Sequence, residues 1–357
     1  MKISICGDIC PNITNDLYIK GETETLYHDV PEAFADSDRV LINLETALTE
    51  KETTITKYGP NLKASPLCVN VLKEIGVTDV GISNNHVFDF GVPGMEDTLK
   101  FITEAGFQYT GFGKNSEDAR RNLIMEKDGI SVAVIAVCEH EYCYALEDRM
   151  GTRGYDPYDT IEDIRKAKKE HDYVVVTYHG GKEQCVYPSP RLRKACQAMV
   201  RNGADVVLCQ HSHCIGCYEE YQGGHILYGQ GNFHFVPKTS RNAQWQNGLL
   251  VQLDLTDKVN IEFVPVKVIV GSGIELAKGA DKEEILEFFE AQSANLHNGK
   301  WLEGWKDFCE AYRKQYEDAI LGADKEPELF AHYLYCEAHR DVWEQLYKLS
   351  WETREEI

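Results

Sequence analysis

Short, nearly continuous runs of β-branched and apolar residues punctuate the first 270 positions. "KISICGD", "RVLINLE", "VTDVGIS", "ISVAVIAVC", "DYVVVTYH" and "ADVVLCQ" each predict a strand. Runs that lack strict alternation fit strands buried on both faces of a sheet. Between them, "PEAFADSD", "PLCVNVLKEIG", "GVPGMEDTLKFITEAG" and "SPRLRKACQAMVRNG" have helical spacing, and the second and third stop at Gly76 and Gly106. Beyond residue 215, "HILYGQGNFHF" and "LLVQLDL" predict antiparallel strands, followed by "NIEFVPVKVIV". From about residue 280 the period becomes helical, in "KEEILEFFEAQ", "WKDFCEAYRKQYEDAIL" and "LFAHYLYCEAHRDVWEQLYKLSWETREE". The pattern predicts a layered α/β core over residues 1–270, with a mixed sheet or β-sandwich at its centre, and a helical C-terminal extension over residues 280–357. The extension's aromatics, Trp301, Trp305, Tyr312, Tyr333, Trp343 and Trp351, are too many to leave in water.

Composition narrows the function. A chain of 357 residues, 43% hydrophobic, buries a large core and is not disordered. Its formal net charge of −21 argues against nucleic-acid binding and against docking on anionic lipid. The extension is acidic, with 19 Asp and Glu against 9 Lys and Arg over residues 281–357. The N-terminal "MKISICGDIC" has no apolar segment long enough for a signal peptide, and no run of about eighteen apolar residues occurs. A cytoplasmic location without membrane insertion is therefore expected, with the twelve cysteines mostly buried free thiols.

The candidate chemistry falls at strand ends. In order come Asp8, Asn43 with Glu45, Asn84-Asn85-His86 with Asp89, His179 with Glu183, and His211 with His213. Loops beyond the strand ends of layered α/β folds converge on one rim. The i, i+2 spacing of Asn43 and Glu45, and of His211 and His213, puts each pair on one strand face, and paired imidazoles suit a metal. Taken singly, each cluster has a bland explanation: an Asp after a strand caps a turn, and His-x-His fits a half-exposed strand. Five such clusters, each closing an apolar strand, fit chance placement poorly. The donors form a mixed N/O set suited to Mn, Fe or Zn.

In that order the clusters resemble the calcineurin-like metallophosphoesterases, and more closely the CapA family of poly-γ-glutamate capsule-synthesis proteins. The resemblance lies in "NLE" at 43–45, "NNHVFDFG" at 84–91, "HGGKE" at 179–183, "HSH" at 211–213 and "YGQGNFHF" at 228–235. It covers residues 1–270. It implies a central β-sandwich flanked by helices and two divalent metal ions. Asp8 and His213 would hold one ion, Asn85, His179 and His211 the other, and Glu45 would bridge them. His86 would be the proton donor to the leaving atom, oriented by Asp89. Asn43, Asn84, Glu183 and Asn232 would line or support the site.

The chain departs from ordinary metallophosphoesterases at several points. Asp8-Ile9-Cys10 replaces Asp-x-His, so Cys10 either ligates softly or leaves the position open. The bridging carboxylate is a Glu, Val87 follows His86 where an acid is usual, and "QHSH" replaces Gly-His-x-His. These changes suit an altered substrate. The expected function is metal-dependent hydrolysis of a small or polymeric anion, either a phosphate ester or a γ-glutamyl amide, with Lys57, Lys63 and Lys182 as the nearby cations. The alternative is a non-catalytic, polymer-binding accessory protein. A homo-oligomer through the extension is a further arrangement left open.

Overall fold

The computed structural model describes residues 1–139 and 142–348. Two sheets form its centre. In the eight-stranded sheet, Lys2–Ile9 lies between Arg39–Leu44, to which it is parallel, and Asn247–Leu255, to which it is antiparallel. Parallel strands Asp79–Gly81 and Gln108–Thr110 extend one side, and antiparallel Val259–Ile269 and Gly273–Leu276 extend the other. The six-stranded sheet runs in the order Tyr218–Tyr221, Gly224–Leu227, Val206–Gln210, Tyr173–His179, Ile130–Cys138, Leu123–Lys127.

The apolar runs have a simple physical reason. Val175 points into the space between the sheets, where it meets Ile3, Ile5, Val132 and Leu208. Its neighbours Val174 and Val176 face outward, onto Ile164, Leu192 and Met199 of two covering helices. Both faces of the strand are dry, so both must be apolar, each buried side chain stabilising the fold by roughly 1.5–3 kcal/mol. The helices against the other sheet bury Tyr18, Leu72, Met95 and Ile102 in the same way. The layering is helix, sheet, sheet, helix, with the C-terminal helices added.

The structure corrects several expectations. "PEAFADSD" forms only a 3₁₀ turn, Val30–Phe34. Helix Pro157–Glu170 is absent from the pattern above, because its buried face is reduced to Thr160, Ile164 and Ala167. Asp156 starts it by accepting from the amides of Tyr158 and Asp159, with Pro157 in the first turn. "HILYGQGNFHF" is two strands in two sheets. Gly224–Leu227 is parallel to Val206–Gln210, and Asn232–His234 is parallel to Lys2–Ile9. The last predicted helix breaks at Cys336, whose backbone is extended, into Pro327–Tyr335 and Glu337–Leu346. Its final turns and Trp351 lie outside the described residues.

The extension packs directly on the core. Helix Gly279–Asn298 places Ile285 and Phe289 in the cluster between the sheets, while Leu296 and Trp301 join the outer face of the second sheet. Trp305, Tyr316, Tyr333 and Val342 then form their own cluster, closed by Cys185. Tyr312 and Trp343 are partly buried against it. All twelve cysteines are buried, and none is in a disulfide.

Candidate metal centre

Asp8 is delivered by the central strand of the larger sheet. At Gly7 an added Cβ would lie 2.5 Å from the Gly231 carbonyl oxygen, so glycine lets the 231–234 segment close against that strand and pairs Asp8 with Asn232. Asn43 lies one strand over, opposite Asp8, and Glu45 follows two residues later, just past the strand end. The Glu45 amide still donates to the Ile9 carbonyl at 2.9 Å, which keeps the expected i, i+2 relation. His179 ends the strand Tyr173–His179 of the second sheet.

His211 and His213 arrive differently from expected. Strand Val206–Gln210 stops before them, and both have left-handed backbones, with φ of 83° and 51°. A tight loop, rather than a strand face, brings the two rings into the site. The His211 amide donates to Asp8 Oδ2 at 3.0 Å, which pins that loop to the carboxylate.

The ligand-bearing atoms gather into two triads. Those of Glu45, His179 and His211 lie within 4.8 Å of one another, as do those of Asp8, Glu45 and His213. Glu45 belongs to both. Asn85 adjoins the first triad, its Oδ1 lying 2.9 Å from His179 Nε2. Cys10 is buried nearby but joins no such group among the described residues. The same is true of Cys214 and Cys217.

Supporting amides surround the triads. Asn43 Nδ2 lies 2.7 Å from Asp8 Oδ1 and 3.1 Å from His179 Nδ1, so it orients two of the six groups. Asn232 Oδ1 is 2.8 Å from His213 Nδ1; the amide oxygen can only accept, so the proton sits on Nδ1 and Nε2 keeps its lone pair. Asn84 points away from the triads. It donates to Asn43 Oδ1 and the Leu44 carbonyl and accepts from the amides of His86 and Val87. It thereby shapes the turn that presents Asn85 and His86.

His86 stands beside the triads without joining either. Its Nδ1 is 2.7 Å from Asp89 Oδ2. Asp89 also accepts from the Leu62 amide at 2.7 Å and pairs with Lys57 at 2.5 Å. A carboxylate only accepts, so Nδ1 carries the proton and Lys57 supports Asp89 rather than bonding to the ring.

Electrostatics and packing both favour a cation. Both oxygens of Glu45 and Nδ1 of His211 are buried with no hydrogen-bond partner, which is costly for a charged group. Burial, with Glu45 next to it, pushes the Asp8 carboxyl up to about 6. Burial also raises Glu45. Burial holds His179 down to about 4 and His211 well below its ordinary value, so both are neutral donors near pH 7. At His213 burial favours the neutral ring, but Glu45, Asp8 and Glu183 outweigh it and raise the pKa. Partnerless buried carboxylate oxygens beside neutral imidazoles fit divalent metal.

A cavity of about 270 Å³ opens onto these groups. Asn85, His86, His211 and Glu183 line it from the core. His332 and His339 line it from the C-terminal helices, where a reading of strand-end clusters does not look. Of the three expected cations, Lys57 and Lys182 border the cavity, whereas Lys63 bonds to Glu52 and to the Lys51 carbonyl.

Comparison with known proteins gives the chain's family. Residues 2–236 match the family described as bacterial capsule synthesis protein PGA_cap. The capsule biosynthesis protein CapA of Bacillus anthracis is 30% identical over 274 residues, 74% of this chain and 66% of that protein. The PGA biosynthesis protein CapA of Bacillus subtilis is 32% identical over 264 residues, 71% of this chain and 68% of that one. The match thus spans about two thirds of the length of these relatives. Among solved structures, a dimetal phosphatase from Danio rerio aligns at 8% identity with a TM-score of 0.36, covering 67% of this chain and 98% of that one. The chain belongs to the bacterial capsule synthesis protein PGA_cap family.

Proposed function

We propose that this protein is a metal-dependent hydrolase acting on an anionic phosphate ester or γ-glutamyl amide. The observation that carries the reading is the pair of triads sharing Glu45, with His86 and Asp89 alongside. Asp8 and His213 would hold one divalent ion, and Asn85, His179 and His211 the other, with Glu45 between them. Bound there, Mn, Fe or Zn would polarise the scissile group and lower the pKa of water. The γ-glutamyl class enters through the relatives, which are named for capsule and PGA biosynthesis.

The chain's own groups would do the rest. Asn232 Oδ1 accepts from His213 Nδ1 and so leaves Nε2 of that ring free to ligate, while Asn43 bridges Asp8 and His179. Asp89 holds His86 through Nδ1, so that Nε2 would face the leaving atom as the proton-donating position. Lys57 pairs with Asp89 from the other side. The C-terminal helices that line the cavity with His332 and His339 would limit access of water.

The test is turnover on a panel of phosphate esters and γ-glutamyl peptides, run together with His86→Ala. The variant should lose about 10²–10⁴-fold in kcat while keeping its metal content. Metal lost in step with activity would make His86 a ligand. Absence of turnover across the panel by metal-loaded protein would favour the accessory, polymer-binding reading.

A further inference from the structure

The C-terminal helices form a roof over the cavity. His332 stacks on Tyr58 at 5.7 Å and 26°, and on Tyr142 at 6.0 Å and 22°, which joins the helix Pro327–Tyr335 to two loops of the core. His339 stacks on Tyr333 at 4.1 Å, and its Nδ1 lies 2.6 Å from the Tyr316 hydroxyl. A charged network fastens the roof from behind. Asp341 takes Arg191 Nε at 2.8 Å and the Ser189 hydroxyl at 2.5 Å. Arg191 also reaches Glu139 at 2.6 Å, and Glu139 accepts from the Gly181 amide at 3.1 Å. At Gly180 any Cβ would collide with the Glu139 side chain, so the loop lies flat against that carboxylate. The roof and the loop carrying Lys182 are thus parts of one hydrogen-bonded assembly.

Lys182 differs from the other cavity lysine. Lys57 is neutralised by Asp89. The Lys182 ammonium lies over the Tyr312 ring at 6.0 Å and among the described residues forms no close ion pair, although against the effect of burial it helps hold the neighbouring Glu183 carboxyl below its ordinary range. The cavity, at about 270 Å³, lies just below the range of small-molecule sites, roughly 300–1,000 Å³, which leaves room for a small group rather than for a polymer passing through.

We infer that this is an end-acting site: the roof admits a small anion or the terminus of an anionic chain, and Lys182 holds the terminal oxyanion. The inference rests on the hydrolase reading for its consequence, since the bond broken is the one next to the held group. Water gives its hydroxyl to the acyl or phosphoryl atom and its remaining hydrogen to the leaving group, releasing a single terminal unit. Carboxylate and phosphate share the chemistry Lys182 recognises.

Binding tests the inference whether or not turnover is found. Calorimetry on the full metal-loaded chain would use inorganic phosphate, a γ-glutamyl hexamer with free ends, and the same hexamer blocked at both ends. The free hexamer, phosphate or both should bind, and the blocked hexamer should bind at least tenfold more weakly than the free one. Lys182→Met should weaken the bound probe by about 10- to 100-fold, and Lys182→Arg should restore most of the affinity. Binding of only one probe assigns the oxyanion to carboxylate or to phosphate. Equal affinity for blocked and free hexamers, or no change in Lys182→Met with unaltered circular dichroism and metal content, would overturn the inference. The hydrolase reading would survive that result, because it is judged by turnover.

Discussion

At the level of single residues, Asn43 shows how little of a site a ligand list describes. One amide group lies within hydrogen-bond distance of both Asp8 and His179, which belong to different triads. Asn43→Ala should weaken metal affinity by about 10–100-fold with the fold intact, as measured by competition with a chelator. Unchanged affinity would show that the amide does not orient the ligands. Lys57 is a second case. Its side chain is 3% exposed and that of Asp89 is fully buried. Lys57→Met leaves Asp89 with only the Leu62 amide and His86, and should cost about 3 kcal/mol in denaturant unfolding. A loss below about 1 kcal/mol would mean that the pair contributes nothing net. The identities of these residues were legible in the sequence because amide, imidazole and carboxylate cluster where apolar runs end. Lys57 could be read only as a nearby cation, since its partner lies 32 positions away and no local period links them.

Among the elements, strands buried on both faces announce themselves, whereas helices with a narrow apolar face do not. Tyr173–His179 is buried throughout, and its sequence reads as a strand. Pro157–Glu170 buries three side chains and is otherwise rich in charge. The His211 and His213 pair reaches the site for a reason the i, i+2 rule does not supply, because left-handed backbones replace the strand. The role of the extension was also only half legible. Its aromatics required burial, but sequence does not say against what. The helix Gly279–Asn298 covers the sandwich, while the later helices meet the cavity. A chain ending at residue 275 should therefore aggregate, because Ile285, Phe289, Leu296 and Trp301 no longer cover apolar surface. A chain ending at residue 299 keeps the first of these helices and should stay folded and bind metal. Soluble, monomeric and fully active protein from the shorter chain would make the extension a passenger, contrary to its packing.

For the whole molecule, charge and site pull in opposite directions. A net charge of −21, nearly half of it in the last 77 residues, repels an anionic substrate at a distance. At the cavity, Lys57, Lys182 and the histidines face a core of buried carboxylates with partnerless oxygens. Burial, with Lys182 and Lys57 outweighing Glu183, pushes the roof's His332 down to about 4, so near neutral pH it contributes a neutral ring. Among the described residues no helix is long and apolar enough to cross a membrane. The account comes down to whether divalent cations fill the two triads. Elemental analysis of protein purified without chelator, with His213→Ala and His179→Ala alongside, measures this directly. About two ions of Mn, Fe or Zn per chain are expected, with at least one lost in each variant. Metal-free protein that takes up none of these ions on titration would contradict it.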